Sequence, residues 1–231
     1  MSIETIKECI MDNATLTSLE KRIFINYSMT KHSWKMEQID SISTSALCNT
    51  FCATRCKIPR TICEKCYARV LLKMRKNLRD KLTVNHKFYT TYELTKKDVP
   101  TINAKIFRFE SFGDIENELQ VKNYVTIAKA NKETFFVLWT KNPQVIAAAM
   151  EKHRIRKPKN FRIIASEYYI NRSIIDHVWD RYRFIDKCFV VVTREYAREN
   201  SIKPNCNGKC IDCMRCYDPD NNERIIIEYL K

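Results

Sequence analysis

The stretch from Thr134-Phe-Phe-Val-Leu-Trp-Thr140, through Pro143–His153, to Phe161-Arg-Ile-Ile-Ala-Ser166 reads as strand, helix, strand. Its two outer runs are short, apolar and rich in β-branched and aromatic residues, as buried strands are. Between them Pro143 stands at a helix start, where a missing N–H does no harm. The unit repeats outward. Lys105-Ile-Phe-Arg-Phe-Glu-Ser111 precedes it and Cys188-Phe-Val-Val-Val-Thr193 follows, so strand starts fall at 105, 134, 161 and 188, one βα unit apart. Helical patterns fill the gaps: Glu118–Ala130, with Leu119, Tyr124, Ile127 and Ala128, and Ser173–Tyr182, with Ile174, Val178 and Tyr182.

Upstream, Asp40-Ser-Ile-Ser-Thr-Ser-Ala-Leu47 reads as another strand, then a cysteine-rich loop and a helix from Glu64 to Arg79. That helix is expected to turn Tyr67, Val70, Leu71, Met74 and Leu78 inward and to carry Lys65, Arg69, Lys73 and Lys76 as a basic stripe, a candidate nucleic-acid contact. A second helix is expected over Thr83–Thr95, and extra strands at Ile23–Tyr27 and Arg224–Tyr229. The class is therefore α/β: repeated βα units form a parallel sheet covered by helices, curling toward a partial, open TIM-like barrel with a Cys-rich C-terminal segment. One domain spans residues 1–231, with 1–40 as an N-terminal extension, 41–200 as βα units and 201–231 as the cysteine tail.

A hydrophobic fraction of 45% with 11% aromatics is that of a globular chain. No run approaches the roughly 20 apolar residues that span a bilayer, and the N-terminus has no apolar signal core, so no membrane is expected and the cytoplasm is the expected compartment. The net charge of +14 favours polyanions, so nucleic acid or a phosphorylated small molecule is the expected partner. A phosphate-binding glycine loop and a nucleophile triad are both missing from the sequence, which argues against nucleotide hydrolases and serine or cysteine hydrolases.

Eleven cysteines in such a chain call for a role other than disulfides. Nine fall in two segments: Cys48, Cys52, Cys56, Cys63 and Cys66, then Cys206, Cys210, Cys213 and Cys216. Thiolates at this density need a cation. The tail run Cys-x3-Cys-x2-Cys-x2-Cys has the short consecutive spacings of cluster ligands, so an iron–sulfur cluster, 4Fe-4S, is the expected cofactor, with zinc as the alternative. Both segments follow strands, which places them at the C-terminal edge of the sheet, in one shared site or two neighbouring ones. The same edge gathers Glu110, Ser111, Asp114, Thr140, Lys141 and Ser166 as ligand-binding candidates. Gly113, one of only two glycines, suggests a tight turn or a close backbone approach there. Cys188, in an apolar run, reads as core.

At both cysteine segments the sequence resembles the bacteriophage and prophage proteins labelled gene-product-eighty-eight-like. The likeness rests on Ser41–Leu47, Phe51-Cys52, Ile62-Cys63-Glu-Lys-Cys66-Tyr67-Ala68, Arg75-Lys-Asn77, Phe107-Arg-Phe109, Phe112-Gly113, Leu138-Trp-Thr-Lys141, Lys157-Pro-Lys-Asn160 and Cys206–Tyr217. It implies Cys52, Cys63, Cys66, Cys206, Cys210, Cys213 and Cys216 as the family set, with Cys48 and Cys56 as additions, and a host-cell cytoplasmic location. A looser resemblance to radical S-adenosylmethionine enzymes implies S-adenosylmethionine as co-substrate. Their Cys-x3-Cys-x2-Cys motif occurs here only at Cys206–Cys213, and their glycine-rich segment has no counterpart.

Overall fold

The computed structural model describes residues 1–32, 36–172, 178 and 181–230. Six parallel strands lie side by side in chain order: β1 (Ile39–Ile42), β2 (Ile106–Phe109), β3 (Phe135–Thr140), β4 (Phe161–Ser166), β5 (Lys187–Val192) and β6 (Ile225–Tyr229). The sheet is open, with β1 and β6 at its edges. The outer side of β1 is met by an isolated antiparallel bridge from Thr30 to Ser41. Among the described residues no helix is long and apolar enough to cross a membrane.

Helices pack on one face of this sheet. Phe107 and Phe109 of β2, Phe136 and Leu138 of β3, Phe161 and Ile163 of β4 and Cys188 of β5 meet residues of α1 (Ile3–Met11), α2 (Ser18–Ser28), α5 (Lys76–Thr91), α6 (Glu118–Ala130) and α7 (Pro143–Lys152) in one core. Phe109 is its centre: Tyr124 stacks on it at 4.1 Å and Phe136 at 5.3 Å, between ring centroids. Burying such a ring contributes roughly 1.5–3 kcal/mol from area alone. Alternate strand residues face the other way. Val137, Ile164, Phe189, Val191 and Ile226 form a second core with Met36, Ile39, Cys216 and Tyr217. The expected cover of helices is therefore half right: the opposite face is closed by the cysteine tail.

Four local readings are corrected. Ile23–Tyr27 is not a strand but part of α2, because Thr17 and Glu20 form a capping box and Phe24, Ile25 and Ser28 bury at helical spacing. The helix expected over Glu64–Arg79 breaks at Arg75 (φ −111°, ψ 92°) into α4 (Tyr67–Met74) and the start of α5. The separate helix expected at Thr83–Thr95 is instead the continuation of α5. The first strand ends at Ile42, not Leu47: Glu110 N donates to Ile42 O at 3.0 Å as the last sheet bond, and Ser43–Ser45 then run as a buried loop. The strand expected at Arg224–Tyr229 is present as β6, while Ser173–Tyr182 lies outside the described residues except Val178, Arg181 and Tyr182.

Candidate functional site

The exits of β1, β2 and β3 interlock around Glu110. Its backbone turns to φ 60°, a left-handed conformation that a non-glycine residue holds only when its surroundings fix it. Its carboxylate accepts from Thr44 N and Thr44 Oγ1 at 3.1 Å, from Gln120 Nε2 at 2.7 Å and from the Tyr124 hydroxyl. Burial, only partly offset by those donors, pushes this carboxyl up to about 7. Gly113 is needed because a Cβ there would stand 2.5 Å from Thr44 Oγ1, 2.7 Å from Glu110 Oε2 and 2.8 Å from Thr44 O. The close approach expected of this glycine is observed.

Asp114 is the second hub. Thr140 Oγ1 donates to Oδ1 at 2.6 Å, Lys141 N to Oδ2 at 2.8 Å and Ile115 N to Oδ1 at 2.7 Å. Burial raises its pKa, and the Lys141 charge works against that rise. The first cysteine loop is bound to this turn. Asn49 caps α3 (Thr50–Arg55), its Oδ1 accepting from Cys52 N at 2.8 Å, while its Nδ2 donates to Asp114 O at 2.9 Å. Arg69 Nη1 donates to Ala46 O at 2.8 Å, the Tyr67 hydroxyl to Ser111 O, and Ile62 N to Tyr168 O at 2.9 Å beyond β4.

These ties set Cys52, Cys63 and Cys66 in one neighbourhood. Burial raises the Cys52 thiol most, followed by the charges of Asp114 and Cys66; Cys63 is raised by burial, then by Cys66 and Asp114, with Lys141 opposing in both. Cys48 is exposed and directed at Thr83 Oγ1 (3.6 Å), and Cys56 donates to Ala53 O at 3.2 Å.

The four tail cysteines form a second neighbourhood. Burial pushes Cys216 up to about 12, assisted by Cys210, Cys206 and Cys213. Cys206 N donates to Ile227 O at 3.0 Å, and the short helix Cys210–Cys213 ends at Met214 with φ 48°. Cys216 and Tyr217 lie under the sheet against Val137, Ile164 and Phe189. The tail thus does not cluster at the strand ends but lies across a face, because residues 206–224 must travel back to the start of β6. Arg108 lies within electrostatic reach of Tyr67, next to Cys66, and of Cys210 in the tail. As the side chains stand, no three His, Cys, Asp or Glu among the described residues are close enough to hold a metal ion.

The family model for gene product 88 matches residues 11–227. The chain belongs to the gene product 88 family. No curated protein and no solved structure matches it. The span matched to gene product 88 takes in both thiol groups and the Glu110–Asp114 turn.

Of the ligand-binding candidates within that span, Glu110, Ser111, Asp114, Thr140 and Lys141 come together; Ser166 is buried at the end of β4, beside β3 through the sheet register but outside the side-chain hydrogen bonds around Glu110 and Asp114. Ser111 Oγ is buried without a hydrogen-bond partner. The basic stripe is not continuous. Lys65 precedes α4, Arg69 is spent on Ala46 O, Lys73 is exposed, and Lys76 opens α5 and pairs with Asp80 at 2.5 Å. The face of α4 is also rotated from expectation: Ala68 and Leu72 bury, whereas Tyr67, Val70 and Met74 are exposed. Residues missed by the sequence reading are Thr44, Gln120 and Tyr124, which hold Glu110. Gln120 and Tyr124 are four apart on α6, a spacing that places both on one face.

Proposed function

We propose that this chain is an iron–sulfur protein of a phage family, with an open site formed by Cys52, Cys63 and Cys66 and a closed site formed by Cys206, Cys210, Cys213 and Cys216. The observation that carries it is the gathering of the thiols into one group of three and one of four, each acting electrostatically within itself. The donor chemistry fits a thiophilic centre, and metal uptake would draw the thiols together with loss of their protons. Four protein ligands close a site, whereas three leave a position for an outside ligand.

Bound at the group of three, a cluster supplies one-electron redox chemistry, including the radical chemistry of the looser resemblance with S-adenosylmethionine as co-substrate. The chain's own residues supply the surroundings. Lys141 brings positive charge to the thiols, and Asp114 fixes the Thr140–Lys141 backbone beside them. Arg55, held between Phe51 and Tyr168 at 4.9 and 4.4 Å, adds a second cation near Cys63, so an anionic small molecule suits this edge. A second reading takes both groups as zinc staples and α4 as a nucleic-acid contact, supported by exposed Tyr67 beside exposed Lys65 and Lys73.

Anaerobic purification with a visible spectrum and assays for iron, acid-labile sulfide and zinc separates the two. Brown protein with iron and sulfide supports the first. Colourless protein carrying zinc, with salt-dependent DNA or RNA binding, replaces it with the second.

A further inference from the structure

Three cations rise from the face of the sheet that the tail covers. Arg108 of β2 and Arg162 of β4 stand in one row, both in register with Val137 between them, and Lys187 of β5 is in register with Ile164. Arg162 and Lys187 are 7% and 2% exposed. Arg108 is partly buried, and its Nε is shut from solvent without a hydrogen-bond partner.

Buried cations ordinarily meet a carboxylate. Among the described residues none of these three forms an ion pair with a carboxylate oxygen within 4.0 Å. The acids whose charge reaches them are Asp186, Asp218 and Glu223; Asp186 pairs instead with Lys157 and Glu223 with Arg215, while Asp218 offers Arg162 its backbone carbonyl. All three cations instead reach the tail. Arg162 donates to Cys216 O (3.3 Å), Asp218 O (2.7 Å), Pro219 O (3.0 Å) and Asn221 O (3.4 Å). Lys187 donates to Asn221 O, Asn221 Oδ1 and Glu223 O at 2.5–2.8 Å. Arg108 donates to the Tyr217 hydroxyl at 3.1 Å and lies over the Trp139 ring at 4.8 Å. Carbonyls and a phenol satisfy donors, but they do not neutralise charge.

Four thiols bring no charge either. Four thiolates around a divalent ion, or around a cluster core carrying two positive charges, leave two negative charges. We infer that Arg108, Arg162 and Lys187 are the counter-ions of a negatively charged metal–thiolate centre formed by Cys206, Cys210, Cys213 and Cys216, which presses against them from the tail. On uptake each S–H bond breaks, its proton leaves to solvent, and the sulfur binds the metal as the cations find their opposing charge. The inference rests on the reading of the tail as a thiolate site given above.

The test is a cobalt(II) titration of the reduced, metal-free full chain carrying Cys52→Ser and Cys63→Ser, followed by thiolate-to-cobalt absorption and by melting with and without cobalt. Arg108→Met is expected to weaken cobalt binding about 10- to 100-fold, the usual effect of removing a group that supports metal ligands, while the metal-free protein melts no lower. Arg108→Lys, which keeps the charge, should bind as the parent does. Equal affinity in parent and Arg108→Met, or equal losses in the Met and Lys variants, overturns the counter-ion role. A parent that takes up no cobalt refutes the tail site itself and the inference with it. Arg108→Gln, which retains a donor for Tyr217, replaces the Met variant if that one does not fold.

Discussion

Replacing Glu110 by glutamine isolates the most perturbed carboxyl at the sheet edge. Glu110 is 2% exposed, and burial carries its pKa from an ordinary 4.5 up to about 7. The folded state therefore holds this proton more tightly than the unfolded chain does. Below the unfolded value both states are protonated and stability is complete; as pH rises toward 7 the unfolded chain gives up its proton first, so stability is lost. The loss is about 2.5 units at 1.36 kcal/mol each, roughly 3 kcal/mol between pH 4.5 and 7, and nothing further above that. The amide of the Glu110→Gln variant cannot ionise. It brings an NH2 among groups that donate, at about 1–3 kcal/mol for an unsatisfied donor, but that penalty does not vary with pH. Urea unfolding of both proteins, reduced and with chelator, at steps from pH 4.5 to 8 gives the difference free of the other titrating groups. The wild-type advantage should shrink by about 3 kcal/mol across the window, which in a chain of this size is roughly 6–12 °C in Tm. Parallel curves would mean that Glu110 ionises at its ordinary pH, and the account of the buried edge would be wrong.

Tyr124→Phe removes a donor that favours the ionised Glu110, so the same pH window should move upward, read from the same unfolding series. Gly113→Ala must displace the Thr44 backbone as well as its hydroxyl, and should lower stability by about 1–3 kcal/mol in thermal melting; an unchanged Tm would show that the turn relaxes freely. Asp114→Ala leaves Thr140 Oγ1, Lys141 N and Ile115 N without their acceptor, so a loss of about 1–3 kcal/mol or more is expected in denaturant, together with weaker metal retention at the group of three. Cys213→Ser should remove the metal of the tail and leave that of Cys52, Cys63 and Cys66; loss of both from one substitution, measured as metal per chain, would contradict two separate groups.

The parallel sheet is legible because β3, β4 and β5 are buried on both faces and so read as continuous apolar runs. Two misreadings have a common cause. Apolar residues alone suggest a strand at Ile23–Tyr27 and a different inward face for α4, yet a capping box decides the first and the packing of Ala68 and Leu72 against Ala46 and Leu82 decides the second. At the sheet edge, Asp114, Thr140 and Lys141 can be named from their place just past strand ends. Thr44, Gln120 and Tyr124 cannot, because their importance lies in pointing at one carboxylate from two other elements. The path of the tail is hidden for a similar reason: spacing reports which cysteines are near in sequence, not which face of the sheet the segment crosses.

Arg162 is nevertheless visible as a basic residue inside a run that should bury on both sides, and Lys187 as one immediately before another such run. A buried strand admits such a residue only when something covering it accepts its hydrogen bonds. One face of each strand is already taken by helices, so the acceptors have to come over the other face. The segment that supplies them follows α8 (Arg194–Glu199) and is the cysteine tail. The two charges within apolar strands and the cysteine tail are therefore parts of one arrangement: the carbonyls of residues 216–223 satisfy the donors, and the counter-ion proposal assigns the balancing charge to the sulfurs.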